Sequence, residues 1–423
     1  MPLAAPVSLR LGSRRLRGTQ AAAAAAPTLH EREDALAAGL TVPLVPGNRV
    51  VLLQDGPRTY EAMFAAIAGA RDHINLESYI LEADGPGAEF ARRLVERARA
   101  GVRVNLLYDG FGSLRTPASY FEGLRAAGVD VCEYNPVTRL GNLLSRALHL
   151  RDHRKLMVVD GRIGFIGGVN ISAVYSSGSA PVLHRERPAG DARRPGWRDT
   201  HVRVEGPVVA HLQRLFMRHW VRHSAIALHG ADYYPPLPAA GSQRAALAAC
   251  DAGRRRNPFY RALLGAIDAA QHRVLLTTAY LVPTRRLLRC LTQAARRGVE
   301  VHLLLPGVSD FWAPLAAGRS HYGRLLRAGV HLHERHDTLL HAKTCVIDGL
   351  WTTVGSSNLD WRSFLHNAEA NLIVLDPVLA REMERVHAQD VARAQEIDRA
   401  AWARRGWRQR LAETIARRFE FFL

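Results

Sequence analysis

Short runs rich in Val, Ile and Leu alternate along the chain with longer stretches whose apolar residues recur every three or four positions. The longer kind covers Tyr60 to Arg71 and Ala88 to Ala100, and again Phe259 to Ala270 and Arg285 to Arg297. That period gathers apolar side chains on one helix face, and the short runs suit strands covered on both sides. The alternation predicts an α/β fold of layered domains, with strands buried between helices. A Ser-, Gly-, Pro- and Arg-rich stretch near 176–196 reads as a long loop, and a Pro-, Ala-, Gly- and Arg-rich one near 230–257 as a linker.

The pattern occurs twice. HLRDHRKLMVVDGRIGFIGGVN (149–170) returns as LLHAKTCVIDGLWTTVGSSN (339–358). Aligned on His153 and His341, both copies carry Lys at +2 (Lys155, Lys343), Asp at +7 (Asp160, Asp348), Gly at +14 (Gly167, Gly355) and Asn at +17 (Asn170, Asn358). The likeness extends upstream, where RARAGVRVNLLYDG (97–110) matches QAARRGVEVHLLLPG (293–307). It extends downstream too, where Asp199 lies eight before Pro207 as Glu369 lies eight before Pro377. Self-similarity of this kind marks a duplicated domain. The expected organisation is a basic, disordered tail (1–45), a first domain (46–232), a linker (233–256), a second domain (257–395) and a basic amphipathic C-terminal helix (396–423). The first copy takes twenty-nine residues from Asn170 to Asp199 where the second takes eleven from Asn358 to Glu369, so the long loop is an insertion.

Charge narrows the partners. Lys and Arg outnumber Asp and Glu by 57 to 39, a balance of +18, which favours nucleic acid, phospholipid headgroups or a phosphorylated substrate without choosing among them. Runs such as Arg254-Arg255-Arg256 read alternatively as solvated surface. Cys132, Cys250, Cys290 and Cys345 are scattered, with neither a disulfide framework nor zinc spacing. No apolar segment reaches the roughly eighteen residues that a membrane-spanning helix needs, so the chain is expected not to cross a bilayer. The first thirty residues, with Arg10, Arg14, Arg15, Arg17 and the alanines 21–26, loosely resemble an organellar transit peptide, the alternative to a plain disordered tail.

On a strand, residues two apart share a face, so each copy presents an imidazole beside an ammonium. Asp160 and Asp348 fall at an odd offset, directly before Gly, where a D-G hairpin turn is expected. Parity therefore favours a turn-forming or bracing role for them over a catalytic one. Gly167, Gly168 and Gly355 suit a close approach of backbone to a ligand or partner domain, and Asn170, Asn358 and Ser356 are candidate phosphate ligands, the asparagines alternatively loop-fixing. If the copies meet about a pseudo-twofold axis, two imidazoles and two lysines surround one phosphodiester. One neutral histidine then attacks phosphorus and the other donates a proton to the leaving alkoxide, while the lysines offset charge on the non-bridging oxygens. Neither metal nor cofactor is required. Asp199 and Glu369 are candidates for fixing the tautomers, or else ordinary strand-start acids.

At these residues the chain resembles the phospholipase D superfamily, whose H-x-K-x4-D signature is met twice, by His153, Lys155, Asp160 and by His341, Lys343, Asp348. The resemblance implies that the full signature is the catalytic set, with His153 as nucleophile forming a phosphohistidine and His341 as proton shuttle. It also implies two tandem α/β/α sandwich domains with the site between them. The usual Gly-Ser after the motif is kept in Gly355-Ser356 but is Gly167-Gly168 in the first copy. INLESYIL (74–81), WRDTHVRVEGP (197–207), LTTAYLVP (276–283) and VGSSNLDWRSFLHNAEANLIV (354–374) look most like bacterial cardiolipin synthases without transmembrane helices. The implied partners are phosphatidylglycerol and an anionic phospholipid surface, on the cytoplasmic face of the bacterial cell membrane. No nucleic acid and no obligate protein partner are expected. Trp407, Leu411, Ile415, Phe419 and Phe422 fall on one helical side among arginines, as in an interfacial anchor, or alternatively a face packed on the protein's own core. The competing functions are a hydrolytic phospholipase or a nuclease using the same groups, and a membrane-coating protein with a dead site.

Overall fold

A computed structural model of the chain describes residues 28–137, 149–178, 196–228, 232–254, 256–309 and 311–420. The first lobe runs α1 (Leu29–Ala37), β1 (Val45–Gln54), α2 (Asp55–Ala68), β2 (His73–Ser78), α3 (Gly85–Arg99), β3 (Arg103–Asp109), α4 (Ala118–Ala126), β4 (Asp130–Tyr134), β5 (Lys155–Val159), β6 (Ile163–Gly167), β7 (Trp197–Arg198), β8 (Thr200–Glu205) and α5 (Val209–His223). The second runs β9 (Gln243–Cys250), α6 (Pro258–Ala269), β10 (Arg273–Thr277), α7 (Arg285–Arg296), β11 (Glu300–Pro306), α8 (Trp312–Arg319), α9 (Tyr322–Arg327), β12 (His331–Arg335), β13 (Leu339–Leu340), β14 (Thr344–Ile347), β15 (Trp351–Gly355), α10 (Trp361–Leu365), β16 (Glu369–Leu375) and α11 (Pro377–Val391). β17 (Gln395–Glu396), α12 (Arg399–Ala403) and α13 (Trp407–Arg418) follow.

Fifteen of these strands form one sheet whose order reflects the duplication. Outward from the β1–β9 junction, the first lobe reads β1-β8-β6-β5-β2-β3-β4 and the second β9-β16-β15-β14-β10-β11-β12, with β17 added at the edge. β2, β3 and β4 are parallel, as are β10, β11 and β12, and β5 and β14 run antiparallel to β2 and β10. Helices cover both faces. α2, α3 and α4 contribute to a core with Ile74, Val104 and Met157, and α6, α7 and α9 to another with Val274, Val301 and Leu332. α5 and α11 share a third core that crosses the lobe boundary, joining Leu212, Phe216 and Trp220 to Leu372, Val374 and Met383. α7 shows the local logic: Leu287, Leu288, Leu291 and Ala294 are buried, its arginines line the other side, and Thr284 caps its start by accepting from the Leu287 N–H.

The duplicated α/β architecture holds, with three differences at its boundaries. Residues 243–250, read as linker, form β9, which pairs with β16 from Arg244 to Cys250 and with β1 across the junction. Part of the expected disordered tail is ordered, since Leu29–Ala37 is a capped helix packed on α6. The C-terminal segment is two helices, separated at Gly406. Residues 1–27 and 179–195, which hold most of the tail and of the inserted loop, lie outside the described residues. Among the described residues no helix is long and apolar enough to cross a membrane.

Candidate active site

Two short parallel pairings stitch the lobes together, and each delivers one histidine. In the first, Asp152 bridges Ala368, the Ala368 N–H donates to the Arg151 carbonyl at 2.8 Å, and the His153 N–H donates to the Ala368 carbonyl at 2.9 Å. In the second, β7 pairs with β13 and the His341 N–H donates to the Arg198 carbonyl at 2.8 Å. Each histidine thus docks on the residue just before the other lobe's acid, and the side chains follow. His153 Nδ1 lies 3.1 and 3.2 Å from the Glu369 carboxyl oxygens, and His341 Nδ1 lies 2.6 Å from Asp199 Oδ2. Asp199 and Glu369 therefore each face a ring, and they do so crosswise, every imidazole being held by the opposite lobe. With Nδ1 engaged, Nε2 is the nitrogen left to react.

The lysines stand beside these rings. His and Lys of a motif do not sit together inside one strand: Lys155 is the first residue of β5 with His153 in the extended run before it, and Lys343 immediately precedes β14. Lys155 Nζ donates to the His153 carbonyl at 2.6 Å and lies 5.1 Å from the centre of the Tyr79 ring; Lys343 Nζ donates to the His341 carbonyl. All four motif side chains are buried. Burial first, then the neighbouring cations Lys155 and Lys343, holds the His153 imidazole well below its ordinary range. His341 is pushed down to about 4 by burial and Lys343, against the opposing pull of Asp199. Burial also lowers Lys155 to about 7, Glu369 opposing and Lys343 adding to the fall, and raises Glu369 to about 7, opposed by Lys155 and Ser356. These surroundings disfavour protonated rings, unlike the near-neutral titration expected of a free imidazole, and an anion beside the rings opposes that bias.

The acids closing the two motifs lie elsewhere. Asp160-Gly161 and Asp348-Gly349 occupy tight turns with positive φ at both residues, closed by Arg162 N–H to Val159 O and Leu350 N–H to Ile347 O. The Asp160 carboxylate accepts from the N–H groups of Arg71, Asp72 and His73 at 2.9, 2.8 and 3.0 Å, and Asp348 accepts from Gln271, His272 and Arg273 at 2.8 Å each. Five residues of strand put Asp160 roughly 16 Å from Lys155. Their inclusion in the catalytic set is corrected: they brace the chain where it enters β2 and β10.

The phosphate-ligand expectation also changes. Asn170 uses both ends of its amide in the loop, donating to Tyr175 Oη at 2.8 Å and accepting from the Ile80 N–H at 3.1 Å, so its loop-fixing alternative is the one the geometry supports. Ser356 Oγ donates to Glu369 Oε2, tying it to the orienting acid rather than to a ligand. Asn358 is buried, its N–H donating to Ser363 Oγ at 3.1 Å, and its Oδ1 has no hydrogen-bond partner among the described residues. Gly168, facing Ser356 in the repeat, is small because Asp199 fills the space where a Cβ would go; Gly167 is likewise closed in by His201 and Thr200. The close approach read from these two glycines is thus to the protein's own chain at Asp199 and the start of β8.

Sequence reasoning missed the aromatic walls and the polar lock between lobes. Tyr79 sits edge-on to His153 at 4.9 Å between ring centres, and Trp197 lies 4.9 Å from His341, whose Nδ1 is also 3.3 Å from Tyr175 Oη. Behind them Asp390 of α11 binds Arg198 at 3.0 Å from Nε and also Arg335, all three buried. Tyr79 was within reach, being part of the INLESYIL segment (74–81) that carries the family resemblance. Among the described residues, Glu77, Asp152 and His219 form a donor set of the kind that binds cations, but the buried Arg154 guanidinium, 3.5 Å from Glu77, already supplies the positive charge there.

Comparison with known proteins agrees with this geometry. The family described as "Cardiolipin synthase, PLD-like domain" matches residues 63–178 and 263–391. Cardiolipin synthase of Geobacillus kaustophilus is 34% identical over 377 residues, 89% of this chain and 72% of that one. Cardiolipin synthase A of Pseudomonas fluorescens is 35% identical over 384 residues, covering 89% and 75%. The crystal structure of phosphatidylserine synthase from Haemophilus influenzae superposes with a TM-score of 0.64 at 12% identity, over 93% of this chain and all of that one, a likeness of fold. Two matched segments, one in each lobe, together span more than half of the sequence, and the chain belongs to the family of cardiolipin synthases with PLD-like domains.

Proposed function

We propose that this member of the family makes cardiolipin, moving a phosphatidyl group onto the free hydroxyl of phosphatidylglycerol through a phosphohistidine. The observation that carries the reading is the pair of crossed histidine–carboxylate contacts with two buried lysines at one lobe junction. His153 Nε2 attacks the phosphorus of the donor lipid while its Nδ1–H is held by Glu369. The leaving alkoxide takes a proton from His341 and departs, as glycerol when the donor is phosphatidylglycerol. His341, now neutral, removes the proton from the acceptor hydroxyl, which attacks phosphorus and releases His153. Asp199 stabilises the imidazolium form of His341 each time it occurs. Lys155 and Lys343 hold the non-bridging oxygens, a charge-stabilising role commonly worth a few kcal/mol in the transition state. The substrates are membrane lipids, so the enzyme works at an anionic surface, on the cytoplasmic face of the cell membrane.

The test is incubation of purified protein with phosphatidylglycerol vesicles, without added metal, and mass spectrometry of the lipids. Cardiolipin and glycerol are expected, and His153→Ala and His341→Ala should each abolish turnover. Accumulation of phosphatidic acid alone would replace transfer by hydrolysis, and cleavage of plasmid DNA in place of lipid would make the chain a nuclease.

A further inference from the structure

The molecule leaves large apolar side chains uncovered at the end of the sheet where the histidines lie. On α13, Trp407, Leu411, Ile415 and the capping residue Phe419 follow one another at intervals of four and face solvent, while Glu413 and Ala416 on the other side are buried. The stripe does not pack on the protein's own core; Phe422, its fifth position, lies outside the described residues. Ala416 packs with Val282 and Ala317, fixing α13 against α8. At the start of α8, Phe311 and Trp312 are exposed as well. α8 rests through Gly318 on the Leu281 carbonyl, in the segment that leaves β10, and Leu281 pairs with Leu359 beside Asn358.

The first lobe repeats the arrangement at the pseudo-equivalent place. The loop after β3 packs on the segment leaving β2, Ser113 Oγ accepting from the Leu81 N–H at 3.1 Å and donating to the Tyr79 carbonyl at 3.3 Å. Its tip exposes Phe111 and Leu114, and Tyr79 itself touches His153. The exposed residues of the stripe and of both tips, Val308 apart, are 48–69% accessible. Arginines accompany them: Arg404, Arg408, Arg410, Arg417 and Arg418 are exposed around α13, and the exposed Arg115 adjoins Leu114.

We propose that this end is a bilayer-docking face, in which the Phe111/Leu114 tip, the Phe311/Trp312 tip and the α13 stripe enter the headgroup region of an anionic membrane around the mouth of the site. Exposed apolar side chains with arginines beside the α13 stripe and the Phe111/Leu114 tip fit the boundary between acyl chains and lipid phosphates. A site that must receive a lipid phosphodiester is served by tips on both sides of it, because the acyl chains then stay in the bilayer. In this the proposal rests on the lipid-transfer reading.

The test measures binding of the full chain to phosphatidylcholine vesicles with and without phosphatidylglycerol, and quenching of tryptophan emission by lipids brominated on their acyl chains. The wild type should bind the mixed vesicles and be quenched. A variant combining Phe311→Ser, Trp312→Ser, Trp407→Ser and Leu411→Ser should bind at least about tenfold more weakly. It should keep its turnover of short-chain phosphatidylglycerol held monomeric below its aggregation concentration, which also shows that it is folded. Vesicle binding within twofold of wild type in that variant would overturn the proposal. So would self-association of the wild type, abolished in the variant, with no difference on vesicles. Lipid products are followed alongside binding: a wild type that docks but makes no cardiolipin leaves this face standing and removes the reading of the site, and a four-site variant that docks and makes cardiolipin as the wild type does removes the face and leaves that reading standing.

Discussion

Removing the carboxylate of Asp160 or Asp348 leaves three backbone N–H groups without their shared acceptor. Asp348→Ala is expected to cost about 2–4 kcal/mol, seen as a lower urea midpoint, since each bond to a charged group contributes about 1.5–3 kcal/mol and water recovers part. Turnover per folded molecule should survive, whereas loss of turnover at full stability would return the aspartates to the chemistry. Burial lowers Lys155 to about 7 and raises Glu369 to about 7. As pH rises through that value the lysine loses its charge and the glutamate gains one, and both changes weaken anion binding. Calorimetry with a soluble monoanionic phosphodiester should show Kd rising above pH 7, by at most about tenfold per unit for each proton involved, and Lys155→Arg should flatten that rise. The paired offsets made the histidines, lysines and orienting acids visible in the sequence, and the D-G pairs gave the turns. What the offsets do not encode is the crossing, because nothing in a linear repeat says which ring meets which acid.

At the level of elements, the amphipathic period located α3, α6 and α7 to within a few residues, because each has a complete apolar face to bury. β9 was invisible for the opposite reason. QRAALAAC is alanine-rich, with little intrinsic preference for strand, and it is extended only because β16 and β1 flank it and leave room for small side chains. The strand pairs that deliver the histidines are one or two residues long, too short to leave a pattern, and the lock behind one of them is polar. Asp390→Ala would leave Arg198 and Arg335 buried without their shared carboxylate, at a cost of about 3–5 kcal/mol. Thermal unfolding should shift down accordingly, and Asp390→Asn, which keeps hydrogen-bond acceptance, should lose less. An unchanged midpoint in Asp390→Ala would mean that apolar contacts and backbone pairing hold the lobes without this lock.

For the whole molecule, the α5–α11 core and the β1–β9 junction make the lobes one folding body, although the sequence divides cleanly into two copies. Expressed separately, residues 28–232 and 233–420 should each show no cardiolipin formation by thin-layer chromatography, and activity in either half alone would contradict the shared site. Charge and tail composition point to an anionic partner from the sequence, but the face proposed to meet it is not legible there, because only the folded sheet brings the loops after β3 and β11 to one end. The exchange of acids between lobes also limits how such a protein can diverge. A mutation that repositions one ring must be matched by a change in the opposite half of the gene, so the duplicated halves are bound to evolve as partners, and a hybrid built by swapping one half between distant relatives inherits two mismatched pairs at once.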